Sequence, residues 1–375
     1  MEELKILITG DFYGGNRADR LIRDGLYLAI FNDFLPLIQE SDISVTNLES
    51  ALTDFAIPCF KTGPAIKASP KTIEALKFAG FNLLTLANNH IMDYGVKGLY
   101  DTMELCKKNN IDFCGVGKDL QDAKQVFYKK VRNTKLAFIN IAENEFSTTT
   151  GEEPGANPLN SITNFYSIQE AKRNADYVFV IVHGGHEKYN LPSPRMKQTY
   201  RFFIDSGANA VIGHHTHCYS GYELYNGGYI FYSLGNFLFD HASYRNSQWN
   251  FGYAVRFIVT PKQLNYDIIP YEQSNYEHGI RVLDEAKKDS FLTSLANLNK
   301  VISDDKLLSE EFSLFVQKSS LWYNGFLEPY SSTFLHFLRR RGYIPSFLGK
   351  KKRLLLWNLI RCESHREVIL KILEK

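Results

Sequence analysis

The stretch that constrains this chain most is residues 211–217, with the sequence VIGHHTH. Its apolar start is typical of a buried strand, and Gly213 is followed by three histidines within four positions. Because side chains alternate along a strand, His215 and His217 are predicted to lie on one side of the chain, on the strand or at its exit. Two convergent imidazoles suit a divalent transition metal, so we favour a metal site over a polar loop with unrelated histidines.

Composition indicates a globular protein. The chain has 375 residues, more than one average domain, and 44% are hydrophobic, which is ample for a core. Charged residues make up 22% and the formal net charge is +2. These values argue against disorder and against a general nucleic-acid binder.

The C-terminal tail is basic. Residues 339–375 contain 11 Lys or Arg and 3 Asp or Glu, a net charge of +8. Two basic runs, 339–341 and 350–353, precede the apolar segment 354–360 with its Trp357. This pattern predicts peripheral contact with an anionic membrane face. The alternative is a helix that packs its apolar side on the body and leaves its lysines solvated.

Five cysteines without a CxxC pair indicate reduced thiols. No basic and apolar leader precedes the first strand, and no apolar run approaches the ~18–20 residues of a spanning helix. We therefore expect a cytoplasmic protein, peripheral to the inner face of the membrane if the tail binds lipid.

Several apolar runs end in potential metal ligands. Residues 4–9 lead to Asp11, and residues 42–48 lead to Glu49. Later runs end in the stretch 88–93 (NNHIMD) and in the stretch 183–187 (HGGHE). Sites in α/β sheets form beyond the carboxyl ends of strands, so we expect these side chains to meet. Carboxylates, an Asn oxygen and imidazoles can hold two divalent ions ~4 Å apart.

The remaining polar residues suggest catalytic roles. We predict that His90 faces the substrate and protonates a leaving oxygen or stabilises developing charge, while Asp93 orients its ring. Glu187 is a candidate base or supporting acid near His183. The segment 52–69, with few helix signals, is predicted to be an active-site loop in which Lys61 or Lys67 meets an anionic ligand. Residues 144–164 are predicted to form a long surface loop that acts as a lid.

Strands alternate with helices through about residue 218, which indicates βαβ units and an α/β fold. Hairpins follow, and the chain is predicted to be helical from about residue 280. We predict a first domain over residues 1–275 and a helical, basic C-terminal extension over residues 276–375.

The order of these motifs resembles the calcineurin-like metallophosphoesterase superfamily, and in particular its CapA-like branch for capsule and poly-γ-glutamate synthesis. The resemblance covers roughly residues 4–270. Tyr13 replaces the His of the superfamily's first motif, and Glu49 replaces the Asp of its second. The motifs that carry the resemblance are residues 10–11 (GD), 47–49 (NLE), 87–95 (ANNHIMDYG), 183–189 (HGGHEKY), 213–217 (GHHTH) and 233–237 (SLGNF).

The resemblance implies a four-layer α/β/β/α sandwich with a metal centre at the strand ends. It implies that Asp11 and His217 hold one metal, that Glu49 bridges, and that Asn89, His183 and His215 hold the other. One or two ions of Mn, Fe, Zn or Mg are expected, because Tyr13 weakens the first site or contacts the substrate instead. The residues predicted to bind substrate are Tyr13, Asn47, Lys67, His186, Tyr189, His214 and Asn236.

Three functions remain open from the sequence. The leading one is a metal-dependent hydrolase or transferase acting on a phosphoester or related linkage in surface-polymer synthesis, with an anionic glycan or polyglutamate as substrate. The second is a polyanion-binding or assembly subunit without turnover, and the third is an amide-processing enzyme acting on glutamyl groups. No GxxxxGK[ST] loop is present, which argues against ATP-driven ligation by this chain alone.

Overall fold

The computed structural model describes residues 3–61, 63–260, 263–328, 330, 332–361, 365 and 373. The chain forms two compact units, Met1–Ser309 and Glu310–Lys375. The predicted boundary between residues 275 and 276 stays a prediction, and Cys362 lies outside the described residues. Within the described residues, no helix is both long enough and apolar enough to cross a membrane.

The strands are β1 (Leu4–Tyr13), β2 (Ile43–Leu48), β3 (Ala51–Leu52), β4 (Lys67–Ala68), β5 (Leu83–Thr85), β6 (Asp112–Cys114), β7 (Val116–Gly117), β8 (Phe127–Val131), β9 (Thr134–Ala142), β10 (Gly155–Ala156), β11 (Tyr177–His183), β12 (Ala210–His214), β13 (Tyr222–Tyr225), β14 (Gly228–Phe231), β15 (Asn236–Phe239), β16 (Phe251–Val259), β17 (Leu264–Gln273) and β18 (Ile280–Val282). The helices are α1 (Arg17–Arg23), α2 (Leu28–Phe31), α3 (Leu35–Gln39), α4 (Thr72–Ala79), α5 (Gly95–Lys108), α6 (Leu120–Ala123), α7 (Ser161–Asn174), α8 (Pro194–Asp205), α9 (Glu285–Ser303), α10 (Asp305–Leu327), α11 (Thr333–Arg340) and α12 (Lys350–Arg361).

The larger sheet has the strand order β18-β17-β16-β1-β2-β5-β6, and β15 pairs with the end of β1. Strands β1, β2, β5 and β6 are parallel, whereas β16, β17 and β18 add an antiparallel edge. The apolar run of β1 is buried almost throughout, as expected for a strand covered on both faces. The register pairs Asp11 with Asn47 on β2 and with Asn236 on β15.

The second sheet has the order β13-β14-β12-β11-β9-β8. Its central strands β9, β11, β12 and β14 are parallel. The register places His183 of β11 opposite His214 of β12. The parallel strands of each sheet deliver their last residues to one edge, which is the arrangement that the polar residues after each apolar run predicted.

The two sheets pack face to face through large aromatic side chains. The ring of Phe257 on β16 lies 5.2 Å from that of Phe179 and 5.8 Å from that of Phe231, both on the second sheet. Helices α1 to α5 share a buried apolar cluster with the larger sheet, and α7 and α8 contact the second one. The predicted four-layer α/β/β/α architecture is therefore confirmed.

The predicted lid over residues 144–164 is shorter and more regular than expected. Helix α7 already begins at Ser161, because the side chain of Asn160 accepts hydrogen bonds from the amides of Ile162 and Thr163 and caps the helix. Within the segment, β10 pairs with β7. A local cap and a two-residue strand leave little periodicity for sequence analysis to detect.

We predict that Gly10→Ala destabilises the protein. A Cβ at Gly10 would lie 1.9 Å from the carbonyl oxygen of Gly235, so the two backbones must separate. The free energy of unfolding should fall by about 1–3 kcal/mol in urea denaturation. Gly151→Ala is the matched control, because a Cβ there meets nothing within 4 Å. Equal stability of the two variants would contradict the close approach at Gly10.

Buried cysteines should resist alkylation. Burial raises the pKa of Cys106 and of Cys114 to about 12, so little thiolate forms near pH 8. Cys59 is only half-buried. Among these three, iodoacetamide should label Cys59 in the native protein and leave the other two unmodified, as mapped by peptide mass spectrometry. All three should react in denaturant, and native labelling of Cys106 at the rate of Cys59 would contradict the packing of α5.

Candidate metal centre

Asp11, near the end of β1, contacts groups from both sheets. Its carboxylate is fully buried and accepts hydrogen bonds from the Asn47 amide at 2.7 Å and from the backbone N–H of His215 at 2.9 Å. The ring of His214 lies 3.1 Å away. Burial alone would raise the pKa of Asp11, but the His214 ring, with His183 and His217 nearby, holds it below its ordinary value.

Glu49 follows β2 and is equally buried, but no hydrogen bond from the described residues offsets the cost of burying its carboxylate. Neither carboxylate oxygen has a hydrogen-bond partner within the described part of the chain. Oε1 lies 3.5 Å from His183 Nε2 and 3.6 Å from His217 Nε2. Burial and the negative charge of Asp11 raise the pKa of Glu49 well above its usual value. A buried carboxylate without hydrogen bonds is costly unless a cation binds it.

His183 ends β11 and lies between several polar groups. Its Nδ1 is 3.1 Å from the Asn47 amide nitrogen, and its Nε2 is 3.0 Å from Asn89 Oδ1. The Nδ1 of His215 lies 3.1 Å from the same Nε2. Burial, followed by the neighbouring His215, lowers the pKa of His183 well below its ordinary value. The ring is therefore neutral at pH 7, as a metal ligand must be.

The convergence of His215 and His217 does not come from strand alternation. Strand β12 ends at His214, and the next residues form a turn in which His215 has φ 88° and His217 has φ 57°. Non-glycine residues in this left-handed region cost about 1–3 kcal/mol each unless their surroundings hold them. Here the Asp11 carboxylate binds the His215 amide and fixes the turn.

His217 is oriented by its surroundings. Its Nδ1 lies 2.9 Å from Asn236 Oδ1, and its ring packs 4.5 Å from that of Trp249 and 5.0 Å from that of Phe239. An Nδ1–H donated to Asn236 leaves Nε2 as the atom that can bind a metal. Burial lowers the pKa of His217 to about 4.

The potential ligands form two groups. One consists of Glu49, His183 and His215, and the other of Asp11, Glu49 and His217. Within each group the ligand atoms lie within 4.8 Å of one another, and all five residues are buried. Imidazole and carboxylate ligands fit divalent transition metals, and the uncompensated Glu49 belongs to both groups. The chain can thus supply two adjacent sites that share one carboxylate.

Asn89 and a further acid, Glu145, lie beside these groups. The Asn89 amide donates to Glu145 Oε2 at 3.3 Å, and Glu145 Oε1 lies 3.6 Å from His215 Nε2. Glu145 follows β9, whose last residues pair with β11. Sequence analysis missed Glu145 as a site residue, although its position just after a strand was a usable signal.

His90 and Asp93 form a pair at the edge of the centre. His90 Nδ1 lies 2.6 Å from Asp93 Oδ2, and Asp93 Oδ1 forms an ion pair with the ammonium of Lys61. The Asp93 carboxylate also accepts a hydrogen bond from the backbone amide of Ile66 at 2.7 Å. The backbone carbonyl of Asp93 accepts one from the backbone amide of Cys59 at 2.8 Å. One residue thus orients His90 and anchors the segment from Cys59 to Ile66.

A cavity of about 490 Å³ opens beside the centre. Its wall combines the candidate ligands Asn89 and His217 with His90 and acidic, basic and aromatic side chains. Glu187 lies at its exposed rim. The other lining residues are Tyr13, Asn16, Lys61, Gly63, Pro64, Ile66, Glu145, Phe146, Lys188, Phe239, His241, Tyr244 and Trp249.

Sequence comparison places the chain among known proteins. Residues 5–241 match the family described as bacterial capsule synthesis protein PGA_cap. The chain belongs to this family. The part of this PGA_cap chain that matches includes every residue of the two ligand groups described above.

Two similar proteins are named CapA. The chain is 34% identical over 250 residues to the capsule biosynthesis protein CapA of Bacillus anthracis, covering 64% of this chain and 61% of that protein. It is 34% identical over 246 residues to the PGA biosynthesis protein CapA of Bacillus subtilis (strain 168), covering 64% of each. The chain thus spans under two thirds of the length of these curated relatives.

A solved structure, that of a hypothetical protein from Thermus thermophilus, aligns with a TM-score of 0.47 and 17% identity. The alignment covers 75% of this chain and 100% of that one.

The predicted substrate-binding residues of this PGA_cap chain fall into two sets. Tyr13 lines the cavity, with its hydroxyl 3.4 Å from the Lys67 carbonyl oxygen and outside both ligand groups. The other six are absent from the cavity wall, and three of them contact the candidate ligands Asp11 or His217. Those three are Asn47, His214 and Asn236, and the remaining ones are Lys67, His186 and Tyr189. Their roles in substrate binding stay predictions.

The two lysines of the predicted active-site loop differ. The ammonium of Lys67 donates to the carbonyl of Phe55 and lies 4.8 Å from the centre of the Tyr94 ring. Lys61 is the one that lines the cavity, and its side chain is only 4% exposed. Both lie in the segment 52–69, which has few helix signals, and the sequence left the choice between them open, although the structure places Lys67 at the start of β4.

We predict that Lys61→Met lowers stability more than Lys67→Met does. Removing the Lys61 ammonium deprives the buried Asp93 carboxylate of that ion pair. The free energy of unfolding in urea should fall by about 1–3 kcal/mol. Lys67→Met, a matched change at the start of β4, should cost less than about 0.5 kcal/mol. Similar losses in both variants would contradict a special role for the Lys61–Asp93 contact.

Proposed function

We propose that this chain is a metal-dependent hydrolase or transferase that acts on a phosphoester or a related linkage in bacterial capsule, exopolysaccharide or poly-γ-glutamate biosynthesis. Its substrate would be an anionic glycan or polyglutamate. The names of the CapA relatives support the setting, since they refer to capsule and PGA biosynthesis. The site geometry supports the chemistry.

The observation that carries this proposal is Glu49. Its carboxylate is buried, lacks hydrogen bonds within the described residues and belongs to both candidate ligand groups. Asp11 and His217 would hold one ion, while His183 and His215, with Asn89 beside them, would hold the other. Ions bound there would polarise a substrate oxygen and lower the pKa of a bound water.

The protein's own groups supply the remaining chemistry. Asp93 accepts the Nδ1–H of His90 and so leaves Nε2 for the substrate. When the ring is protonated, this atom would give a proton to the leaving oxygen. Lys61 lies 3.4 Å from the same ring and adds positive charge at the cavity wall, which suits an anionic substrate. Glu187, at the exposed rim, would accept a proton from the attacking group.

One observation favours a second function, a polyanion-binding or assembly subunit without turnover. Tyr13 occupies the position where the superfamily pattern has a His, and its ring packs 4.8 Å from that of Phe239. The Asp11 group therefore contains a single imidazole, that of His217. A site with fewer ligands binds its ion more weakly. The intact His90–Asp93 pair argues for the enzyme.

We predict that the purified protein binds divalent metal and hydrolyses a generic phosphate monoester or diester in the presence of Mn²⁺. Elemental mass spectrometry would measure the metal, and nitrophenyl phosphate and bis-nitrophenyl phosphate would report turnover. His215→Ala and Asn89→Ala should each lower kcat/KM by about 100-fold or more, because a lost ligand removes several kcal/mol of charge stabilisation.

His278→Ala is the matched control, because His278 is exposed and outside the ligand groups and the cavity wall. It should retain both metal and turnover. Bound metal without turnover on either ester would overturn the phosphoesterase and favour the binding subunit or the amide-processing enzyme. Absence of metal under every loading condition would overturn the metal centre itself.

A further inference from the structure

The second compact unit contains an unusually basic segment. Residues 339–361 include 8 Lys or Arg and no Asp or Glu. Helix α12 begins within this segment with Lys350, Lys351, Lys352 and Arg353, all exposed. Four adjacent cations at a helix N-terminus face the positive end of the helix dipole, so they do not stabilise the helix itself. A partner of opposite charge would account for them.

Apolar side chains on the same helix are exposed as well. Leu354 is 69% exposed, Trp357 is 56% exposed and Ile360 is 56% exposed. These three side chains are thus not packed into the interior of the unit, whereas Leu356 and Leu359 on the same helix are half-buried. Apart from Arg361 at its end, the helix therefore has its cations first and its apolar residues after them. Exposed apolar groups of this size mark a binding surface.

The helix stands on an ordered base within its unit. The side chain of Glu328 is fully buried and bonds to Arg339 at 3.0 Å and to the amide of Phe347 at 2.9 Å. The guanidinium of Arg353 donates to the carbonyl of Leu348 at 2.8 Å, next to the start of α12. These contacts hold the turn before α12, so the basic residues at the start of the helix have an ordered support.

We propose that the segment 339–361 docks this chain on an anionic phospholipid bilayer. The basic residues would contact lipid headgroups, and residues 354–360 would enter the headgroup boundary. Leu354, Trp357 and Ile360 recur every third residue and so share one side of the helix, which suits a helix that lies in the interface with that side buried. The inference stands on the second unit alone and does not depend on the proposed function.

A soluble polyanion, such as polyglutamate or a nucleic acid, is the competing partner. It would satisfy the cations but would leave Leu354, Trp357 and Ile360 in water. A bilayer accounts for both classes of residue, because its headgroups attract the charges and its acyl boundary accepts the apolar side chains. The involvement of the apolar residues therefore separates the two partners.

The test uses the full chain with vesicles of phosphatidylcholine, with and without phosphatidylglycerol, in a sedimentation assay. The protein should bind the anionic vesicles and not the neutral ones. Replacing residues 350–353 together with Gln should weaken binding by about tenfold or more. The double variant Leu354→Ser and Trp357→Ser should weaken it by a similar factor, and circular dichroism would check that each variant is folded.

The matched control replaces four exposed lysines of the first unit with Gln and should bind vesicles like the unchanged protein. These lysines are Lys77, Lys118, Lys130 and Lys300. Equal loss in this control would overturn the role of the segment. If poly-γ-glutamate competes with vesicles, and if its binding is unchanged in the Leu354→Ser and Trp357→Ser double variant, a soluble polyanion is favoured. Absence of binding to anionic vesicles at low salt would overturn the proposal.

Discussion

The carboxylate of Asp11 connects the parts on which the candidate metal centre depends. One oxygen accepts from Asn47 on β2 of the larger sheet, and the other accepts from the amide of His215, just beyond β12 of the second sheet. A single buried acid thus ties the carboxyl ends of both sheets. Because unpaired buried charges are costly, each contact depends on the others being formed. The position of His215, a candidate ligand, follows from that network.

Much of this arrangement could be predicted from the sequence. Apolar runs that end in Asp11, Glu49 and His183 mark parallel strands whose carboxyl ends share one edge. The backbone of the turn after β12 could not be predicted, since the positive φ values of His215 and His217 arise from contacts with distant residues. Nothing local distinguishes a histidine on a strand from one in such a turn.

The residues that contact the candidate ligands were harder to assign from the sequence. Sequence analysis assigned Asn47 and Asn236 to substrate binding, yet their side-chain amides contact Asp11 and His217. A motif shows that a residue type fits a site, and it does not show on which side of the ligand the residue lies. Glu145 and Lys61, by contrast, reach the cavity from loops, where position depends on tertiary contacts rather than on periodicity.

The anchoring of the loop at Asp93 has a mechanical consequence. The same residue that binds the His90 ring also holds Cys59, Lys61 and Ile66. A displacement of this loop therefore breaks contacts of the group that sets the direction of the imidazole. A change in the position of the segment from Cys59 to Ile66 would therefore also change the direction in which the His90 ring points, since both depend on Asp93.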